Sequence, residues 1–260
     1  MPRIRVPQSD AGRVHLLGKS LQTAATDKTK GVEYLPEDLV AEIGLALNDR
    51  QENGETVPGF ASLIAERAKD EGLVTKETEE SQAAEELLEV NIRDYIDGLV
   101  RRTFRLKHSA AVLDFHGLDH AGTTPVLASR EDRRTVANQL IAGDATAVSK
   151  GFPAMSNPSA AELSAALASA EKEAAEIVPA DRELQNVVEK IRAARPQIIA
   201  LVDDVIEELQ HGTRKMEPGT AREIMRSYGV TFDALPGETP DPAPAPTPTP
   251  APAPAAPAVQ

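Results

Sequence analysis

Apolar residues recur along most of this chain at intervals of three and four, the period of a helix with one buried stripe; strand-type alternation is nearly absent. Residues 9–26 carry Val14, Leu17, Leu21 and Ala24 on one face, with Ser9 or Asp10 placed to cap the start. Pro36, a preferred first-turn residue, opens a second helix with Leu39, Ile43 and Leu47, which ENGETVPG interrupts. A shorter turn, FASLIAERAKDEG, follows. Residues 76–107 then form the clearest helix of the first half, with the stripe Leu88, Ile92, Tyr95, Leu99 and Leu106. Its start is acidic (Glu77, Glu79, Glu80, Glu85, Glu86) and its end basic (Arg101, Arg102, Arg105, Lys107), an arrangement that offsets the helix macrodipole.

Gly117, Gly122 and Pro125 mark residues 108–129 as a connecting loop, and a short helix over 130–142 is expected to stop at Gly143. Ser159 and Glu162 have capping-box spacing before a helix with Leu163, Leu167, Ala170, Ala174 and Ile177, whose small residues suit close helix packing. Pro179 is expected to separate it from a partner over 181–211 with the stripe Leu184, Val188, Ile191, Ile198, Val202, Val205 and Leu209, bent at Pro196 and closed by Gly212. Thr220 and Glu223 suggest a second capping box for a last short helix that Gly229 ends. The expected fold class is therefore all-α: an elongated up-down bundle of two tandem hairpins, residues 1–107 and 130–235, joined by the 108–129 loop.

Residues 236–260 break the pattern. Nearly every second residue from Pro240 to Pro254 is proline, which removes backbone donors and fixes φ, so the sequence predicts polyproline II or disorder there. Such a tail suits a spacer, a ligand for an aromatic groove, an assembly contact or, in an exported protein, an O-glycosylated stretch.

Composition narrows the function classes. A net charge of −13 argues against nucleic acid and anionic membrane surfaces as partners. No signal peptide or membrane span is visible, which leaves the cytoplasm as the default compartment. The absence of cysteine excludes disulfides, thiolate metal sites and cysteine nucleophiles. Five Phe, three Tyr and no Trp favour aliphatic helix packing over aromatic-lined pockets.

Four motifs invite chemical readings. GRVHLLGKS at 12–20 is similar to a phosphate-binding loop, but five residues separate Gly12 from Gly18 where four are required, and the period is helical. Glu208 and His211 have the ExxH spacing of carboxylate-bridged metal bundles, which need two such pairs. DDVIEE at 203–208 lacks a second acidic cluster and reads as a charged outer face. The best metal candidate is His108, His116 and His120, with Asp114 and Asp119 nearby: imidazoles and a carboxylate suit zinc or nickel. G-x-S-x-G and H-E-x-x-H are both missing from the sequence.

Three stretches, MPRIRVPQSDAGR, GFPAMSNPSAAEL and TAREIMRSYGVTF, together resemble a loose group of uncharacterised bacterial all-helical bundle proteins. The resemblance implies a bacterial source and a helical bundle, and carries no catalytic residue or cofactor. The sequence thus points to a non-enzymatic structural protein that self-associates into a homo-oligomer or filament. The alternatives are an adaptor whose tail recruits a protein partner, and a metal-binding bundle built on His108, His116 and His120.

Overall fold

The structure, a computed structural model, describes residues 3–233; the Pro/Ala-rich segment lies outside them. The described part is mostly helical, as the apolar periodicity predicts. In chain order the elements are β1 (Ile4–Arg5), α1 (Asp10–Thr29), α2 (Glu37–Leu47), β2 (Arg50–Glu52), β3 (Glu55–Val57), α3 (Phe60–Arg105), α4 (Ala111–Asp114), α5 (Arg130–Ser149), α6 (Ala160–Thr213), α7 (Pro218–Ser227) and β4 (Thr231–Phe232). Among the described residues no helix is long and apolar enough to cross a membrane.

The strands are small but tie the chain locally. β1 pairs antiparallel with β4 in the register Ile4 to Phe232 and Arg5 to Thr231. β2 and β3 form a hairpin where the sequence suggests only an interruption: Asn53 (φ 53°) and Gly54 (φ 85°) supply the two left-handed residues of a tight turn.

Two compact units divide the chain, and the boundary differs from the expected one. Among the described residues the first combines 3–72 with 183–233, and the second is 73–182, so the loop at 108–129 lies inside the second unit. Both crossings fall within helices. α3 runs 46 residues without a break at Gly72, and α6 runs 54 residues through Pro179 and Pro196. Each proline deprives the carbonyl four residues back of its amide partner. Pro179 and Pro196, with Ala175 and Arg192 one turn earlier, are all exposed. Apolar contacts on the opposite face, such as Ala180 and Ile198, hold the helix through both sites.

In the first unit the core gathers Leu16 and Leu17 of α1, Ile43 and Leu47 of α2, Phe60 and Leu63 at the start of α3, Val187 to Leu209 of α6, and Met225, Tyr228 and Phe232. The α1 stripe is rotated from the expected one: Leu16, Leu17 and Ser20 are buried, and Val14 and Leu21 sit at the margin. Ser20 is tolerated inside because its hydroxyl donates to the Tyr228 carbonyl at 3.0 Å. On α6, Val187 rather than Val188 points inward.

Ser9 caps α1 as expected, accepting from Gly12 N at 3.1 Å. Ser159 and Glu162 form the expected reciprocal box, at 2.7 and 3.2 Å. α7 differs: Glu217 caps it, accepting from the backbone N–H of Gly219 and Thr220, with Pro218 at its first position. α6 passes Gly212 and ends at Thr213, and α5 passes Gly143 and ends at Ser149.

Asp10 joins α1 to α6 within the first unit. Its carboxylate accepts from Arg195 at 3.0 and 2.7 Å and from Arg13 at 2.7 Å. Burial alone raises the pKa of this carboxyl, but the hydrogen bonds and charges of Arg195 and Arg13 outweigh it and hold the group below the ordinary 3.8.

Two outcomes follow. Asp10→Asn should cost about 1–2 kcal/mol at neutral pH, Arg195 being partly exposed. Because the folded-state value is the lower one, that difference should be complete above pH 3.8 and fade as pH falls below it, read from urea unfolding across pH. Gly72 sits in a helix interior where an added Cβ meets nothing within 4 Å. Gly72→Ala should therefore raise the unfolding free energy by about 0.5–1 kcal/mol in the same titration.

Candidate functional site

The second unit is held by α3, α5 and the first half of α6. Leu88, Ile92, Tyr95, Ile96 and Leu99 of α3 meet Val136, Ala137 and Leu140 of α5, Leu163, Leu167 and Ala170 of α6, and Leu113, Leu118 and Leu127 of the intervening segment. Leu106, expected in the α3 stripe, falls past the helix end and is exposed. Glu85, placed by the sequence in a dipole-offsetting run, is a tertiary anchor: its buried carboxylate takes Arg130 at 2.9 Å and Arg133 at 3.2 Å, both from the start of α5.

The three candidate histidines are engaged separately. His108 packs edge-on against Phe152, ring centroids 5.3 Å apart. His120 is exposed and its Nε2 lies 3.1 Å from the Asp114 carboxylate. His116 is 1% exposed; its Nδ1–H donates to the Val112 carbonyl at 3.2 Å, which leaves Nε2 as the acceptor nitrogen, buried and without a hydrogen-bond partner. Among the described residues they do not form a group of three whose ligand atoms converge.

His116 belongs instead to a polar island in the core, with Tyr95 and Asp144. Its ring centroid is 6.1 Å from that of Tyr95. Asp144 accepts from Met155 N at 2.9 Å. The Tyr95 hydroxyl makes no hydrogen bond of good geometry, yet burial first, and then the nearby Asp144 charge, push its pKa far above the usual tyrosine value. Burial likewise lowers the His116 pKa, against the opposing pull of the Val112 carbonyl and Asp144, so the ring is held neutral. Gly143 explains the close fit, since an added Cβ there would lie 2.6 Å from His116 Cα. It serves as a contact point of α5, where the sequence suggests a helix stop.

The group that does converge is acidic. Glu77 of α3 and Glu173 and Glu176 of α6 bring ligand atoms within 4.8 Å of one another. Carboxylate oxygens in such a set suit a hard divalent cation. Here the chain's own ammonium groups neutralise much of the charge: Lys172 lies 3.1 Å from both Glu173 and Glu176, and Lys76 lies 3.6 Å from Glu77. Sequence reasoning misses this cluster because helix packing, not local spacing, brings residue 77 to residues 173 and 176.

Basic side chains gather in the first unit. A cavity of about 510 Å³ is lined by Arg5, His15, Lys19 and Arg226, with Val6, Pro7 and Val230 among its apolar walls. The sequence places His15 and Lys19 one turn apart on α1, but Arg5 and Arg226 reach the same cavity only through the β1–β4 pairing and the seating of α7. The Arg226 guanidinium lies 5.6 Å from the centroid of the Phe232 ring.

For His116 the expected outcome is a pH-dependent stability. The neutral form is favoured in the folded state, so stability falls as pH drops through the ordinary histidine value of 6.5 and levels off below the depressed folded value. The slope should approach about 1.4 kcal/mol per pH unit and vanish in His116→Gln, measured by urea unfolding between about pH 7.5 and 5.

No protein-family model matches the chain, and no curated protein or solved structure matches it significantly.

Proposed function

We propose that this protein is a non-enzymatic structural protein that associates with copies of itself through its helices, with the C-terminal Pro/Ala-rich segment acting as a spacer or an assembly contact. The observation that carries this reading is the outward face of α3. Leu87 and Val90 are 56% and 53% exposed, and Phe104, further along the same helix, is 55% exposed. Leu87 and Val90, three residues apart, are neighbours on the helix surface, and they lie on the side away from Leu88, Ile92, Tyr95 and Leu99. Leu87 and Val90 are half-exposed already, so burying the remainder of each against a second copy is worth about 1–1.5 kcal/mol, half of the full-burial value. Asp94, Asp97, Arg93 and Arg101 on the same stretch provide a charged border that sets register more than strength.

Light scattering coupled to size exclusion tests the reading. The full-length chain should give a molar mass above that of one chain, rising with concentration. The double substitution Leu87→Glu, Val90→Glu should shift the association equilibrium toward monomer by about tenfold or more while leaving helix content unchanged. A chain that stays strictly monomeric at high concentration under near-native conditions sinks the proposal.

A further inference from the structure

From the residues around it, we infer that the first-unit cavity bounded by β1, α1, α7 and β4 binds a small amphipathic anion: a molecule with an apolar body and a carboxylate or phosphate head. This inference stands apart from the self-association reading.

The volume of about 510 Å³ falls within the range of small-molecule sites. Its charge is the reverse of the chain's. The protein carries a net −13, yet Arg5, Lys19 and Arg226 line the cavity together with His15, and among the described residues no Asp or Glu does. The nearest acidic group along α1, Asp10, is committed elsewhere, held by Arg195 and Arg13. Arg5 is tethered at the rim, 3.3 Å from Asp233. Arg226 is half-buried and fixed over the Phe232 ring, so part of its ordering cost is met before a ligand arrives.

The first turn of α1 adds to the positive potential. Gly12 lines the cavity, and the partial positive charge of a helix start falls off within that turn. Apolar walls set the body of the ligand. Val6, Pro7 and Val230 offer no donors or acceptors beyond their backbone, so an aliphatic chain or ring satisfies them where a polyphosphate or an inorganic anion does not. The cations set the head: guanidinium groups pair with the two oxygens of a carboxylate or phosphate, and the Lys19 ammonium acts as a point charge.

Isothermal titration of the full-length protein tests this with defined probes. Decanoate and decyl phosphate should bind saturably at one site per chain. Decanol, which keeps the body, and inorganic phosphate, which keeps the head, should each bind at least about tenfold more weakly. The exposed positions permit a clean variant: His15→Glu with Lys19→Glu should retain the far-ultraviolet helix signal and weaken decanoate binding by at least about tenfold, as should Arg226→Met. Absence of saturable decanoate binding overturns the inference, as does decanol binding as tightly as decanoate, or a charge-reversed variant that is folded and binds unchanged. A synthetic peptide of residues 236–244, PGETPDPAP, that binds more tightly than decanoate and displaces it also overturns it, in favour of a groove for the chain's own acidic, proline-containing segment.

Discussion

Everything else in this protein depends on two helices whose apolar stripes are each divided between two cores. α3 gives Phe60 and Leu63 to the first unit and Leu88 to Leu99 to the second. α6 gives Leu163 to Ala170 to the second unit and Val187 to Leu209 to the first. Gly72 keeps its backbone donor within α3, and at Pro179 and Pro196, where α6 loses one backbone bond each, the buried side chains of Ala180 and Ile198 keep the helix packed across the site. The second unit is in consequence a single span of chain, whereas the first needs both ends of the sequence. β1 pairing with β4 and Asp10 held by Arg195 are the local expressions of that closure.

Polar groups inside the two cores are treated differently. In the first, Ser20 donates to a carbonyl, and the Tyr228 hydroxyl donates to Asp27 at 3.0 Å, so burial is compensated by hydrogen bonds. In the second, Tyr95 and the Nε2 atom of His116 stay unpartnered beside Asp144. An unsatisfied buried group costs about 1–3 kcal/mol, so this island weakens the second core and ties its stability to the protonation of His116.

Much of the helical content is readable from period alone. The stripes Leu88, Ile92, Tyr95, Leu99 and Leu163, Leu167, Ala170 are buried as the spacing indicates, and the caps at Ser9 and Ser159 form because their donors and acceptors lie within three residues. Glycine and proline mislead. Gly72, Gly143 and Pro179 read locally as stops, and the helices run through them, whereas the end of α6 at Thr213 falls one residue past the expected Gly212. Local punctuation is a preference of about 1 kcal/mol for glycine and about 3 for proline, and packing outweighs it: Gly72 and Pro179 are exposed, whereas Gly143 is buried where α5 meets His116.

The candidate site follows the same division. The histidines near the 108–129 loop are close in sequence, yet one is buried against Tyr95, one packs on Phe152 and one pairs with Asp114. The groups that do meet, Glu77 with Glu173 and Glu176, and Arg5 and Arg226 with His15 and Lys19, come from distant positions. The sequence by itself determined the helical class, the caps at Ser9 and Ser159 and most of the expected core positions, because those rest on interactions within a few residues. Which helices continue, how the chain divides into units and which charged groups share a surface were decided only by tertiary structure, since each depends on contacts between segments that lie tens of residues to more than two hundred residues apart.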